Sequence, residues 1–212
     1  MKITKIGHCC LLIQYKNVSI ITDPGNLSFI PKDIKEIELI LITHEHADHL
    51  HLESLKEILS TNSRARIITN SSVGKILDSQ GISYTLVSDK EKFNYKDIEI
   101  VGFGKNHASI YTTIPSVENT GYLIDDKLFY PGDSLYNPKR KIEILALPVA
   151  GPWLKLSEAI DYARLINPRR CFPVHDGIMK INTPFHNLTQ KILHYYDIEF
   201  HPMVENDIWD VN

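Results

Sequence analysis

Short apolar runs broken by polar or glycine-containing stretches recur along the whole chain. Residues 3–6, 10–15 and 18–22 read as strands, with Lys16 and Asn17 as a hairpin turn between the last two. The run at 39–42, Leu-Ile-Leu-Ile, has the β-branched content of a strand buried on both faces. Apolar residues at 52, 55, 58 and 59 take helical spacing. A strand at 66–69 then precedes a short helix at 71–77, begun by a Ser71 cap and stopped at Gly81, and another strand follows at 84–87. Residues 92–95 and 98–103 form a hairpin across Lys96-Asp97, and 119–124 and 127–130 a second across Asp125-Asp126. The rest reads as a buried strand at 142–148, an amphipathic helix at 156–166 ended by Asn167-Pro168, a strand at 170–174, a helix at 183–195 and a last strand near 198–200. Strands alternating with helices predict an α/β architecture. The sequence shows no repeat, low-complexity tract or linker, so one domain spanning residues 1–212 is expected.

The strand at 39–42 stops at Thr43, and three imidazoles and two carboxylates follow at once: His44, Glu45, His46, Asp48 and His49. Polar groups crowded at the end of a buried strand are costly to desolvate unless something satisfies them, and a divalent cation does so by accepting their lone pairs. In an extended segment His44 and His46 point to the same side and can reach one ion. Asp48 and His49, at the turn into the next helix, can face a second ion about 3.5–4 Å from the first. The bland alternative is a histidine-rich surface turn. A buried strand running straight into His-x-His-x-Asp-His is far more specific than a lone His-x-His.

The motif His44-x-His46-x-Asp48-His49 resembles the signature of the metallo-β-lactamase-fold superfamily of hydrolases. The resemblance implies a four-layer αβ/βα sandwich of two mixed sheets flanked by helices. It also implies a third histidine, a carboxylate shared by two metals and a final histidine, each following a strand. His107 meets the first requirement in Gly104-Lys105-Asn106-His107, where Gly102 and Gly104 relieve steric limits on the backbone. Asp133 meets the second, in Pro131-Gly132-Asp133-Ser134, which by itself would pass for an ordinary turn. His175, after the strand at 170–174, meets the third. On this resemblance His44, His46 and His107 hold one ion, Asp48, His49 and His175 the other, and Asp133 is shared. Asp48 is the expected catalytic residue, orienting a water that two close cations make acidic. Imidazole and carboxylate donors without thiolate suit Zn, Mn or Fe, and three neutral imidazoles with an open position favour Zn. Two divalent ions are expected, Zn first, with Mn or Fe as alternatives.

Other polar residues keep two readings. Asp23 can cap its own turn or, as the resemblance implies, support a metal ligand. His8 is a turn residue or, by resemblance to ascorbate-phosphate lactonase-like members that open with a strand and a Gly-His pair, part of the pocket lining. Trp153 is core or pocket wall. His186 faces the cleft or solvent, His51 is solvated, and His194 and His201 are structural or exposed. Residues 109–118 make a loop at the rim.

Bulk properties narrow the function. With 43% hydrophobic and 23% charged residues the chain has the make-up of an ordinary globular protein, without the bias that would mark disorder or a fibre. A formal net charge of -3 and no run of Lys or Arg give little drive toward nucleic acid. No window approaches the roughly 20 apolar residues that span a bilayer, and the N-terminus reads as strands, not as a signal peptide. Three cysteines, two of them adjacent as Cys9-Cys10, are an odd set for bridging, and a reducing cytoplasm is the simpler reading. The expected activity is metal-dependent hydrolysis of a small ester, lactone or phosphoester in the manner of a compact lactonase-like enzyme, with no nucleic-acid or membrane partner. The alternatives are a phosphodiesterase or nuclease, which would share every ligand, and a non-catalytic metal-binding protein.

Overall fold

Lys16 and Asn17 both take positive φ, 46° and 58°, as do Asp125 and Asp126, at 52° and 51°. Two consecutive left-handed residues make the turn whose twist matches that of the flanking strands, so each pair closes a two-residue hairpin. In the computed structural model, which describes residues 1–211, the first hairpin joins β2 (Leu11–Tyr15) to β3 (Val18–Thr22). The second joins β9 (Gly121–Ile124) to β10 (Leu128–Tyr130).

β1 (Lys2–Lys5), β2 and β3 pair antiparallel, and β3 continues in parallel to β4 (Leu39–Leu41), β5 (Arg66–Thr69) and β6 (Thr85–Leu86). The second sheet runs β7 (Lys92–Tyr95), β8 (Ile98–Phe103), β9 and β10 antiparallel, then β11 (Ile144–Pro148), β12 (Arg170–Val174) and β13 (Glu199–Phe200) in parallel. A strand absent from the sequence reading, β14 (Ile208–Asp210), crosses back to pair with β1 and gives each sheet seven strands. Its three residues carry too short a pattern to be read locally, and only its edge-pairing defines it.

The two sheets therefore repeat one plan, three antiparallel pairings followed by three parallel ones. Helices α1 (Leu52–Thr61) and α2 (Ser71–Ser79) make the last two parallel crossovers of the first, and α3 (Leu156–Ile166) and α4 (Thr183–His194) the last two of the second, while β3–β4 and β10–β11 are joined by irregular chain. β1 thus corresponds to β8, β3 to β10 and β5 to β12. The sequence shows no matching repeat because the plan is set by pairing, not by residue identity.

Ile3, Leu11, Ile20 and Leu41 from one sheet pack face to face with Ile100, Tyr122, Leu128 and Phe172 from the other. The opposite face of the first sheet packs on α1 and α2 through Ile40, Ile67, Leu55 and Val73, and that of the second on α3 and α4 through Leu145, Leu147, Ala163 and Leu193. The layers are helix, sheet, sheet, helix, as expected of the four-layer sandwich. Burial on both faces explains why β4 and β11 read as unbroken apolar runs. One cap differs from expectation: α2 begins at Ser71 as read, but Ser71 is its first helical residue and Asn70, just before it, closes the start by accepting from the Val73 N–H. Among the described residues no helix is long and apolar enough to cross a membrane.

Candidate metal centre

The loops leaving β1, β3, β4, β8, β10 and β12 all emerge at strand C-terminal ends and converge at one end of the sandwich. They carry His8, Asp23, the 44–49 turn, His107, Asp133 and His175 in that order. Asp133 lies at the centre. Its Oδ1 is 3.1 Å from His49 Nε2, and its Oδ2 is 2.8 Å from His175 Nε2, 3.3 Å from His107 Nε2 and 3.9 Å from His44 Nε2. His46 Nδ1 stands 3.1 Å from His44 Nε2, and the donor atoms of His44, His46 and His107 lie within 4.8 Å of one another. Half-buried Asp48 places Oδ2 3.7 Å from His175 Nε2 and 3.9 Å from His49 Nε2. All seven residues singled out from the sequence meet here.

Their orientation is set by neighbours that are themselves buried. The Asp23 carboxylate accepts from the Thr43 N–H at 2.7 Å, the Thr43 hydroxyl at 2.7 Å, His49 Nδ1 at 2.6 Å and the Tyr130 hydroxyl at 2.6 Å. It therefore holds His49, the supporting role, while its own carbonyl closes the turn by accepting from the Gly25 N–H. With its proton given to Asp23, the Thr43 hydroxyl accepts from His44 Nδ1 at 3.0 Å. His107 Nδ1 donates to the Ala108 carbonyl. In His44 and His107 the Nδ1 proton is thus committed outward and the Nε2 lone pair points inward. His49 also turns Nε2 inward. Burial would lower its imidazole, but Asp133, Cys9 and Asp23 outweigh that and hold it well above the ordinary value, so a cation there would displace a proton.

Two contacts escape a reading of the sequence alone. Trp153 Nε1 donates to Asp133 Oδ2 at 2.9 Å, so this residue is both core and wall of the site. Asn119 accepts from the Asp133 N–H at 3.0 Å and donates to the Pro131 carbonyl at 2.9 Å, fixing the turn that presents the carboxylate. Gly132 in that turn takes φ of 62°, and an added Cβ there would run into Asn119 and Thr43. Gly25 is as constrained, because a Cβ would fall on the Asp48 carbonyl. His175, a non-glycine residue at φ 62°, is held there by its N–H, which donates to the His8 carbonyl at 2.9 Å. Such strain persists only where surrounding structure imposes it.

His186 lies neither in the cleft nor in solvent. It is buried with Nε2 2.9 Å from Asp176 Oδ2, and Asp176 also pairs with buried Lys5, whose Nζ donates to the Pro173 and Met203 carbonyls. This network anchors the chain on both sides of His175. Cys9 is buried in the turn between β1 and β2 and faces His8, His49 and His175. Burial would raise its thiol, yet those three rings bring it down to about 6.

Electrostatics follow the crowding. Burial would raise the Asp133 carboxyl, but His49, His107 and His175 hold it well below the usual range. Burial also opposes ionisation of Asp48, and His8, His49 and His175 outweigh it. Burial, then the neighbouring His49, push the His44 imidazole well below its ordinary value and keep it neutral. His49 Nε2, His107 Nε2, His175 Nε2 and Asp133 Oδ1 are buried without a hydrogen-bond partner. Leaving each such atom unsatisfied costs about 1–3 kcal/mol, and imidazole nitrogens and carboxylate oxygens converging on a common space are what divalent cations take. The residues fit such ions.

A family model described as a β-lactamase superfamily domain matches residues 2–175. The chain is 34% identical over 184 residues to protein Rv0786c of Mycobacterium tuberculosis, covering 84% of this chain and 85% of that one. It is 26% identical over 189 residues to the UPF0173 metal-dependent hydrolase Ta0764 of Thermoplasma acidophilum, covering 82% and 83%. In fold it resembles Igni18, a metallo hydrolase from Ignicoccus hospitalis, with a TM-score of 0.78 at 20% identity over 100% and 99% of the two chains.

Proposed function

The chain belongs to the β-lactamase superfamily of metal-dependent hydrolases, and from that membership we propose that it holds two divalent cations and hydrolyses a small ester, lactone or phosphoester. In this reading His44, His46 and His107 bind one ion, Asp48, His49 and His175 the other, and Asp133 is shared. Imidazole-rich donors favour Zn, with Mn as the alternative. When bound, such a pair supplies Lewis acidity toward a scissile carbonyl or phosphoryl oxygen and lowers the pKa of a water from ~15.7 toward about 7.

The protein's own part is placement and protonation. Asp48 stays ionised beside His8, His49 and His175, so its Oδ2 can accept a hydrogen bond from a water and orient it. Asp133 is fixed by Trp153 and Asn119, and His49 by Asp23, so the donors are positioned before any substrate arrives. The net charge of -3 disfavours polyanionic substrates, and a small molecule is the expected partner.

The observation that carries this reading is the set of buried, unpartnered donor atoms around Asp133. Its test is metal content of the purified chain together with turnover of a lactone, thioester, carboxylic ester and phosphodiester panel, before and after chelation. His46→Ala and Asp133→Ala should each abolish chelator-sensitive turnover while retaining the fold by circular dichroism. Unchanged turnover in either variant would refute it.

A further inference from the structure

His8 is buried at the edge of the centre, in the β1–β2 connection that corresponds, in the repeated plan of the sheets, to the β8–β9 connection carrying His107. Its Nε2 points inward with Asp48 Oδ2 3.3 Å away, and its ring centroid is 4.1 Å from that of His175. By proximity alone it could pass for an eighth ligand. The other ring nitrogen argues otherwise. Nδ1 of His8 accepts the Gly177 N–H at 3.1 Å, so its lone pair is spent on a backbone donor. A neutral imidazole has one lone-pair nitrogen and one N–H, and the proton must then sit on Nε2. His107 is the reverse, giving its Nδ1 proton to the Ala108 carbonyl and keeping its Nε2 lone pair free.

We propose that His8 is a positioning residue, a fixed Nε2–H donor that holds the Asp48 carboxylate and does not itself bind metal. Nε2 has no hydrogen-bond partner as the side chains stand, and a rotation of the partly exposed Asp48 side chain would turn the 3.3 Å approach into a charge-assisted hydrogen bond. The tautomer is enforced by backbone on two sides. Gly177 N–H supplies the donor, the His8 carbonyl accepts the His175 N–H at 2.9 Å, and an added Cβ at Gly177 would press on His8 itself. The Lys5–Asp176–His186 network locks the residue between His175 and Gly177 and so keeps that donor in place. The role of Asp48 rests on the two-ion reading above, whereas the ring's tautomer does not.

The test uses the full chain labelled with nitrogen-15 in its histidine rings, metal-free and loaded with Zn, together with His8→Leu and His8→Gln. Two-bond proton–nitrogen spectra should place the His8 proton on Nε2 in both wild-type samples. Zn titrations against a chromogenic chelator should show the first equivalent unaffected in His8→Leu and the second about 10- to 100-fold weaker. His8→Gln, whose side-chain N–H reaches the same place, should recover most of that loss, and the metal-free variants should melt alike. A proton on Nδ1, a His8 Nε2 shift typical of a metal-bound nitrogen, or second-ion affinity unchanged in His8→Leu would each overturn the proposal. A wild-type chain that takes up one ion only would overturn the two-ion reading instead, and the tautomer read in the same sample would still decide whether His8 is a donor.

Discussion

Asp23→Asn changes one atom and leaves the volume nearly constant, so its cost reports hydrogen bonding alone. The carboxylate is fully buried and receives one donor on Oδ1, the Thr43 N–H, and three on Oδ2, from the Thr43 hydroxyl, His49 Nδ1 and the Tyr130 hydroxyl. An amide can keep its oxygen toward the three donors only by turning its NH2 onto the Thr43 N–H, and the other orientation is worse. At least one buried donor then faces another donor, and the remaining bonds lose their ionic partner. With about 1–3 kcal/mol for an unsatisfied buried group and a weakening of bonds worth about 1.5–3 kcal/mol each when charged, the expected loss is about 3–5 kcal/mol. Urea unfolding of the metal-free protein measures it without interference from ion binding. For an m-value of about 2–3 kcal/mol/M the midpoint should fall by more than about 1 M. A shift below about 0.3 M would show that the four contacts contribute little and that Asp23 does not organise the Thr43–His49 turn.

Three further outcomes follow from the same geometry. Gly25→Ala should push the Asp48–His49 backbone out of place, costing about 1–3 kcal/mol in thermal unfolding and weakening Zn uptake; wild-type behaviour in both assays would contradict the packing of that turn. Trp153→Phe keeps an aromatic side chain but removes the donor to Asp133 and part of the buried ring, and should weaken metal binding about 10-fold or more in a chelator competition, with a loss of stability of about 1–2 kcal/mol. Burial opposes the ionised form of Asp176, but His186 and Lys5 hold its pKa below the ordinary carboxylate value. The stabilisation from that depressed pKa is present above the unfolded value near ~3.9 and is lost as pH falls through the folded one. Thermal midpoints between pH 6 and pH 3 should therefore drop more steeply for wild type than for Asp176→Asn, and parallel curves would refute the pairing.

Several features of this protein are written in local residue patterns. The buried run at 39–42 and the motif behind it required no knowledge of the fold, since apolar continuity marks a strand covered on both faces and lone pairs crowded at its end call for a cation. The hairpins at Lys16-Asn17 and Asp125-Asp126, and helices α1 and α3, were legible for the same reason, because their determinants lie within a few residues of one another. His107, Asp133 and His175 were different. Each is an unremarkable loop residue by itself, and the family resemblance was needed to single it out. Tertiary structure alone decided the rest. β14 is defined only by its pairing with β1, at the far end of the chain. Trp153 reaches Asp133, and His186 turns inward to Asp176, through contacts that no local pattern encodes. The protonation of His8 hangs on the N–H of Gly177, which comes 169 residues later in the chain. A sequence states which side chains can donate or accept, but which nitrogen keeps its proton depends on the group that the folded chain brings against it.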